Sequence, residues 1–186
     1  MAKLSSTPRD NSVDPEGEFP LGASEYFFYL LFQTARQRDA FFDRALKPVD
    51  LNLAQWRSLA IVRRLKVCTM SQLARYSTVE RTTLTRAVDQ LVGRGLVSRC
   101  TPDQDRRQVN LALTDQGEAT YGTAVQILKE RNQWVLQDVD PKRLRDATRV
   151  VQTALRRLIA DEALALDLIS FGRTVPGVEG QTNPED

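Results

Sequence analysis

Thr69-Met-Ser-Gln-Leu-Ala-Arg-Tyr-Ser77, then Glu80-Arg-Thr-Thr-Leu-Thr-Arg-Ala-Val-Asp-Gln-Leu-Val-Gly-Arg-Gly-Leu-Val-Ser-Arg99, then Pro102-Asp-Gln-Asp-Arg-Arg-Gln-Val-Asn-Leu-Ala-Leu-Thr-Asp-Gln-Gly117 decide the reading of this chain. The first segment has the length of a short helix over 69–76 with Thr69 as its cap. In the second, Leu84, Ala87, Val88 and Leu91 recur at helical spacing, so a helix is expected from Val79 to about Gly93, opened by Ser77 or Thr78 and stopped by Gly93 and Gly95. That stripe turns Arg81, Thr82, Thr85, Arg86 and Asp89 outward. In the third, 96–101 and 108–113 alternate with period two around a loop holding Pro102 and Asp103, which is a hairpin. Two short helices followed by a basic hairpin is the order of a winged helix-turn-helix. That order offers one helix to a DNA major groove and one loop to a minor groove.

Charge agrees. The 186 residues carry a formal net charge of only +2, yet between Arg57 and Arg107 eleven basic residues face four acidic ones, a local balance of +7. A basic field inside a near-neutral chain is the footprint of a phosphate-binding face. Arginine grips two guanine acceptors and threonine meets a base edge or a thymine methyl, so Arg81, Thr82, Thr85 and Arg86 are the candidate groove-facing residues. The tip Asp105-Arg106-Arg107 supplies the wing. Arg107 is assigned to the minor groove, and Asp105 to holding the wing in place. Thr69, Ser71, Arg75 and Arg99 are candidate phosphate contacts, which position without specifying sequence.

Outward from this head, the reading is mainly α with a small β-hairpin wing. Residues 1–23, rich in Ser, Pro, Gly and Asp, read as a mobile arm. A first helix is expected from Ser24 as N-cap to about Leu46, before Pro48. Tyr26, Phe27, Phe28, Tyr29, Leu30, Leu31 and Phe32 surround it for two turns, which implies burial on both sides, one side against the reading head and the other against a second subunit. A helix over 53–65 follows, with Leu53, Trp56, Leu59, Ala60 and Arg63 at helical spacing. Thr114 caps a long helix to about Asp138 with Tyr121, Ala124, Val125, Leu128 and Val135 on one stripe. Asp140-Pro141 opens a last helix to about Leu168. Its stripe of Leu144, Ala147, Val151, Ala154, Leu155 and Leu158 is nearly heptad-spaced and asks for a partner helix. The division is therefore 24–50 and 115–168 as a helical dimerisation region, 51–114 as the winged helix-turn-helix, and 169–186 as a flexible tail.

Several functions are disfavoured. The chain contains no histidine, and its two cysteines, Cys68 and Cys100, form no CxxC pair. The commonest general base and metal ligand are thus missing, and no catalytic residue, metal or cofactor is expected. No membrane-length apolar run or secretory leader is visible, and the cysteine usage suits a reducing cytoplasm. Both cysteines read as small packing residues rather than redox sensors.

Leu51-Asn-Leu-Ala-Gln-Trp56, Thr83-Leu-Thr-Arg-Ala-Val-Asp-Gln-Leu91, Gly95-Leu-Val-Ser-Arg99, Asp105-Arg-Arg107 and Leu113-Thr-Asp-Gln-Gly117 together resemble the MarR family of bacterial transcriptional regulators, over about residues 24–160. The resemblance implies an obligate homodimer joined through its first and last helices. It also implies repression at a pseudo-palindromic operator of double-stranded DNA, relieved by a small aromatic or phenolic acid. The groove and wing residues named above fall on the family's DNA-contacting positions. The tails exceed the usual length, and the cysteine that the redox-sensing branch carries near the start of the first helix is absent. For the effector, Tyr26, Tyr29, Phe32 and Trp56 are candidates to line an apolar pocket, with Arg36 or Arg57 pairing a carboxylate. Core filling accounts for the same aromatics equally well. The rival readings are a response to thiol oxidation, a winged helix that binds only protein, and the dimerisation module of a small-molecule methyltransferase. The last requires a nucleotide-binding domain with a Gly-rich loop, for which the chain has neither room nor motif.

Overall fold

A computed structural model describes residues 22–101 and 109–173, and the hairpin tip that holds Asp105, Arg106 and Arg107 lies outside them. Seven helices and three strands follow in the order α1 (Ala23–Ala45), α2 (Leu53–Leu65), β1 (Val67–Thr69), α3 (Met70–Tyr76), α4 (Arg81–Gly93), β2 (Val97–Cys100), β3 (Asn110–Leu113), α5 (Asp115–Leu136), α6 (Pro141–Leu158) and α7 (Glu162–Arg173). The mainly helical winged-helix architecture expected from the sequence is the one found. The chain divides into two compact units, one ending at Phe41 and one beginning at Phe42.

The first unit holds most of α1. This helix starts one residue before Ser24, directly after Gly22 at φ 74°, so Ser24 sits within the first turn rather than capping it. Phe27 and Phe28 meet edge to face at 5.2 Å. Burial on all sides is not found in the single chain, where Phe28, Tyr29, Leu30, Leu31 and Phe32 are all exposed.

The second unit is organised on leucine. Leu46, Leu59, Leu73, Leu84, Leu91, Leu96 and Leu111 are fully buried, drawn from α2, α3, α4, β3 and the turns between them. Burying each such side chain is worth roughly 1.5–3 kcal/mol. Helix α2 begins with a reciprocal cap, in which Asn52 Oδ1 accepts the Gln55 N–H and Gln55 Oε1 accepts the Asn52 N–H, both at 2.9 Å. Thr69 and Gln72 cap α3 in the same way. The expected N-cap of α5 is present too, with Thr114 Oγ1 accepting the Gly117 N–H at 3.0 Å.

Four further expectations are corrected. The helix-turn-helix has a third strand: β1 pairs antiparallel with β3, which pairs antiparallel with β2, giving the order β1-β3-β2. Three residues between two helices are too few to show period-two alternation, and only the hydrogen bonds to β3 (Cys68 opposite Leu111) make them a strand. Second, α4 begins at Arg81, and its cap is Glu80 rather than Ser77 or Thr78. The Ser77 hydroxyl instead accepts the Val79 N–H at 3.0 Å, bridging the turn. Third, the last helix is two helices: Ile159 is extended (φ −100°, ψ 116°), and Asp161 Oδ1 accepts the Leu164 N–H at 3.1 Å, starting α7 afresh. Fourth, α7 continues through Phe171 to Arg173, so helix persists where the sequence suggests fraying.

Candidate nucleic-acid interface

Helix α4 presents two faces. Leu84, Ala87, Val88 and Leu91 are buried, while Arg81, Thr82, Thr85 and Arg86 are exposed, as the spacing requires. The Thr85 hydroxyl donates to the Arg81 carbonyl at 3.0 Å. At the start of the helix, Glu80 Oε2 accepts the Thr82 and Thr83 N–H groups at 2.8 and 3.1 Å. These bonds hold the Glu80 carboxyl below its usual range. A helix N-terminus is a ready anion site. Here the protein's own carboxylate occupies it.

Polar contacts tie α4 and the residue after it to neighbouring elements. Gln55, which is buried, donates through Nε2 to Gln90 Oε1 at 2.9 Å. Arg94, just beyond α4, bonds both the backbone oxygen and the carboxylate of Asp50, the latter at 3.3 Å. Arg99 of β2 meets Asp89 of α4 at 2.5 Å. These partners bracket α4 from α2, from the turn before α2 and from the sheet. None of the three pairings is visible in the sequence, because each joins residues that are close only after folding. Asp89, read as merely outward-facing, is in fact the tie between β2 and α4.

The candidate phosphate contacts divide into two groups. Ser71 is exposed and Thr69 half-buried, with Thr69 Oγ1 accepting the Gln72 N–H at 3.2 Å. Arg75 and Arg99 are ion-paired instead, with Asp167 at 3.4 Å and Asp89 at 2.5 Å respectively. Exposed pairs of this kind are weak, and a guanidinium keeps further donors for a phosphate.

The candidate effector residues fall in different units. Tyr26, Tyr29, Phe32 and Arg36 belong to the first, where Tyr26 is half-buried and the other three are exposed. Trp56 and Arg57 belong to the second and are half-buried. Trp56 stacks on Tyr121 of α5, with ring centroids 5.1 Å apart and planes 16° apart. Arg63 lies over the same Tyr121 ring at 4.6 Å and bonds Glu118 at 2.7 Å, which raises its pKa above the usual arginine value. That aromatic face of Trp56 is thus used to join α2 to α5.

Cys68 is buried in β1, and burial pushes its thiol up to about 11. Cys100 is exposed in β2, so it is not the packing residue expected. Among the described residues no His, Cys, Asp and Glu cluster is placed to hold a metal, and no helix is long and apolar enough to cross a membrane.

Residues 51–109 match the model of the MarR family. A MarR-family transcriptional regulator from Silicibacter pomeroyi is similar in structure at 26% identity and TM-score 0.66, covering 76% of this chain and 95% of its own. A second from Silicibacter pomeroyi has 25% identity and TM-score 0.66, covering 78% and 99%. A mutant of MarR from E. coli, solved in complex with operator DNA, is similar at 24% identity and TM-score 0.63, covering 68% and 91%. The family resemblance carried by the sequence motifs is therefore borne out.

Proposed function

With a MarR-family domain at residues 51–109 as the premise, we propose that this protein is a homodimeric, sequence-specific DNA-binding transcriptional repressor. One observation carries the reading: Arg81, Thr82, Thr85 and Arg86 are all exposed on one face of a helix whose other face is sealed in the core. Such a face has the chemistry for base edges in a major groove, while Thr69, Ser71, Arg75 and Arg99 have that for the adjoining phosphates. The wing Asp105-Arg106-Arg107 is assigned to the minor groove on sequence grounds. The structural similarity to an operator-bound MarR supports the same reading.

Dimerisation is supported by α6, none of whose residues is buried although it carries a continuous apolar stripe. Paired subunits would bring two reading helices to half-sites of a pseudo-palindrome about one turn, roughly 34 Å, apart. A small aromatic carboxylate acting through the α1 aromatics and Arg36, or through Trp56 and Arg57, would release the operator by favouring a spacing that does not fit it. Calorimetry with benzoic and phenolic acids tests this step; no heat and no change in DNA affinity with any of them removes it. The competing thiol reading has one observation in its favour, the exposed Cys100. Under that reading, peroxide releases DNA from the protein but not from a Cys100→Ser variant.

The decisive experiment is a salt titration of duplex binding. Log affinity should fall steeply and linearly with log salt. Arg86→Ala or Arg107→Ala should each cost about 1–3 kcal/mol in affinity. A salt-independent interaction, or no preference for any palindrome over random duplex, defeats the proposal.

A further inference from the structure

Helix α7 makes contacts that DNA reading does not require. Phe171 stacks on Tyr76 of α3, with centroids 4.1 Å apart and planes 10° apart. The Arg64 guanidinium of α2 lies over the same Phe171 ring at 4.2 Å and donates to the Ser170 carbonyl at 3.2 Å. One turn back, Asp167 Oδ2 accepts the Tyr76 hydroxyl at 2.8 Å and meets Arg75 Nη2 at 3.4 Å. Ala165 is fully buried, so α7 is packed rather than merely tethered. The segment is acidic: Asp161, Glu162 and Asp167 stand against Arg173 alone, next to the most basic third of the chain.

We propose that Asp167 competes with the DNA backbone for Arg75, so that α7 acts as an internal acidic strap that lowers the affinity of the reading head for duplex DNA. The inference rests on the DNA-binding function proposed above. Arg75 closes the last turn of α3, and a guanidinium serves a phosphate best when two of its N–H groups are available in parallel. Asp167 takes up one of its nitrogens. That carboxylate does not simply swing aside, because the Tyr76 hydroxyl holds the same oxygen and the Tyr76–Phe171–Arg64 stack holds the helix.

The alternative role for Asp167 is to orient Arg75 toward the phosphate, and it predicts the opposite sign. The full chain is compared with Asp167→Asn, Arg75→Ala and the double variant, by fluorescence anisotropy on a palindromic duplex selected with the wild type from a random pool. Asparagine keeps an acceptor for Tyr76 and removes only the charge. The strap predicts that Asp167→Asn binds at least about threefold tighter at low salt, the size carried by one exposed ion pair. Its log-log salt slope should steepen by about one, since one more phosphate is neutralised without compensation. In the Arg75→Ala background the same change should have no effect. Phe171→Ala, which loosens α7 and leaves every charge in place, should shift affinity in the same direction. Equal or weaker binding by Asp167→Asn, or tightening that persists without Arg75, overturns the strap. A wild type that binds duplex while Asp167→Asn does not tighten defeats only this inference. A wild type that binds no duplex removes the DNA-binding function as well.

Discussion

Gly117 shows how one residue can constrain the joint between wing and long helix. A Cβ there would overlap the backbone carbonyl oxygen of Leu96. Thr114 fixes that approach, since its N–H donates to Leu96 O at 3.2 Å and its hydroxyl to Gly95 O at 2.6 Å. Backbone cannot retreat as a flexible side chain can, so Gly117→Ala should lower unfolding free energy by about 2–4 kcal/mol, read as a lower urea midpoint at unchanged m. The two cysteines separate equally sharply. At pH 8 a thiol reagent should modify Cys100 in the native protein, and Cys68 only after unfolding. Cys68 has its thiol pKa raised by burial, so the neutral form is the one that the fold favours. That contribution is complete below the ordinary thiol value and lost as pH rises through about 11. A Cys68→Ala variant should lack this part of the alkaline loss of stability, about 3 kcal/mol.

At the scale of elements, the caps determine where helices begin. The Glu80 side chain bonds the Thr82 and Thr83 N–H groups at the start of α4, and its lowered pKa reflects those bonds. Its carboxylate contribution is present above the ordinary glutamate value and fades as pH falls through the lowered one. Glu80→Ala should therefore fray the first turn of α4. Amide exchange at Thr82 and Thr83 should quicken, and DNA affinity should fall while the core leucines stay protected; unchanged exchange there would show the cap to be dispensable. The break between α6 and α7 is the instructive miss. Arg156 and Arg157 suit a helix end and Asp161-Glu162 a helix start. The apolar residues run through both helices, however, and hide the boundary from a periodicity reading. Likewise, β1 is three residues long and owes its existence to β3.

At the scale of the whole molecule, the unburied stripe on α6 is what the single chain leaves unsatisfied. Leu158 is 73% exposed and Leu144 39%. A leucine so exposed at a heptad-spaced position contributes little to one subunit and much to a pair. For the dimer proposed above, Leu158→Asp should shift sedimentation from dimer to monomer and weaken operator binding well beyond any single phosphate contact, with little change in the helical content of each chain. A variant that stays dimeric would move the interface away from α6.

Much was legible from residue order alone. The helix over 53–65, the body and end of α4 and the hairpin strands follow from apolar spacing, and the caps at Thr69, Thr114 and Asp140 follow from side chains that bond N–H groups three residues away. All of these are local, settled within one or two turns of chain. The outward arginines and threonines of α4 were legible for the same reason, since a helix that buries four positions must expose those between them. What the sequence could not supply were pairings across long separations. Gln55 with Gln90, Arg99 with Asp89, and Tyr76 and Arg75 with Asp167 join residues 35, 10 and about 90 positions apart. Polar partners at such distances leave no periodic trace, because any of the chain's many charges satisfies the same chemistry until packing decides which ones meet.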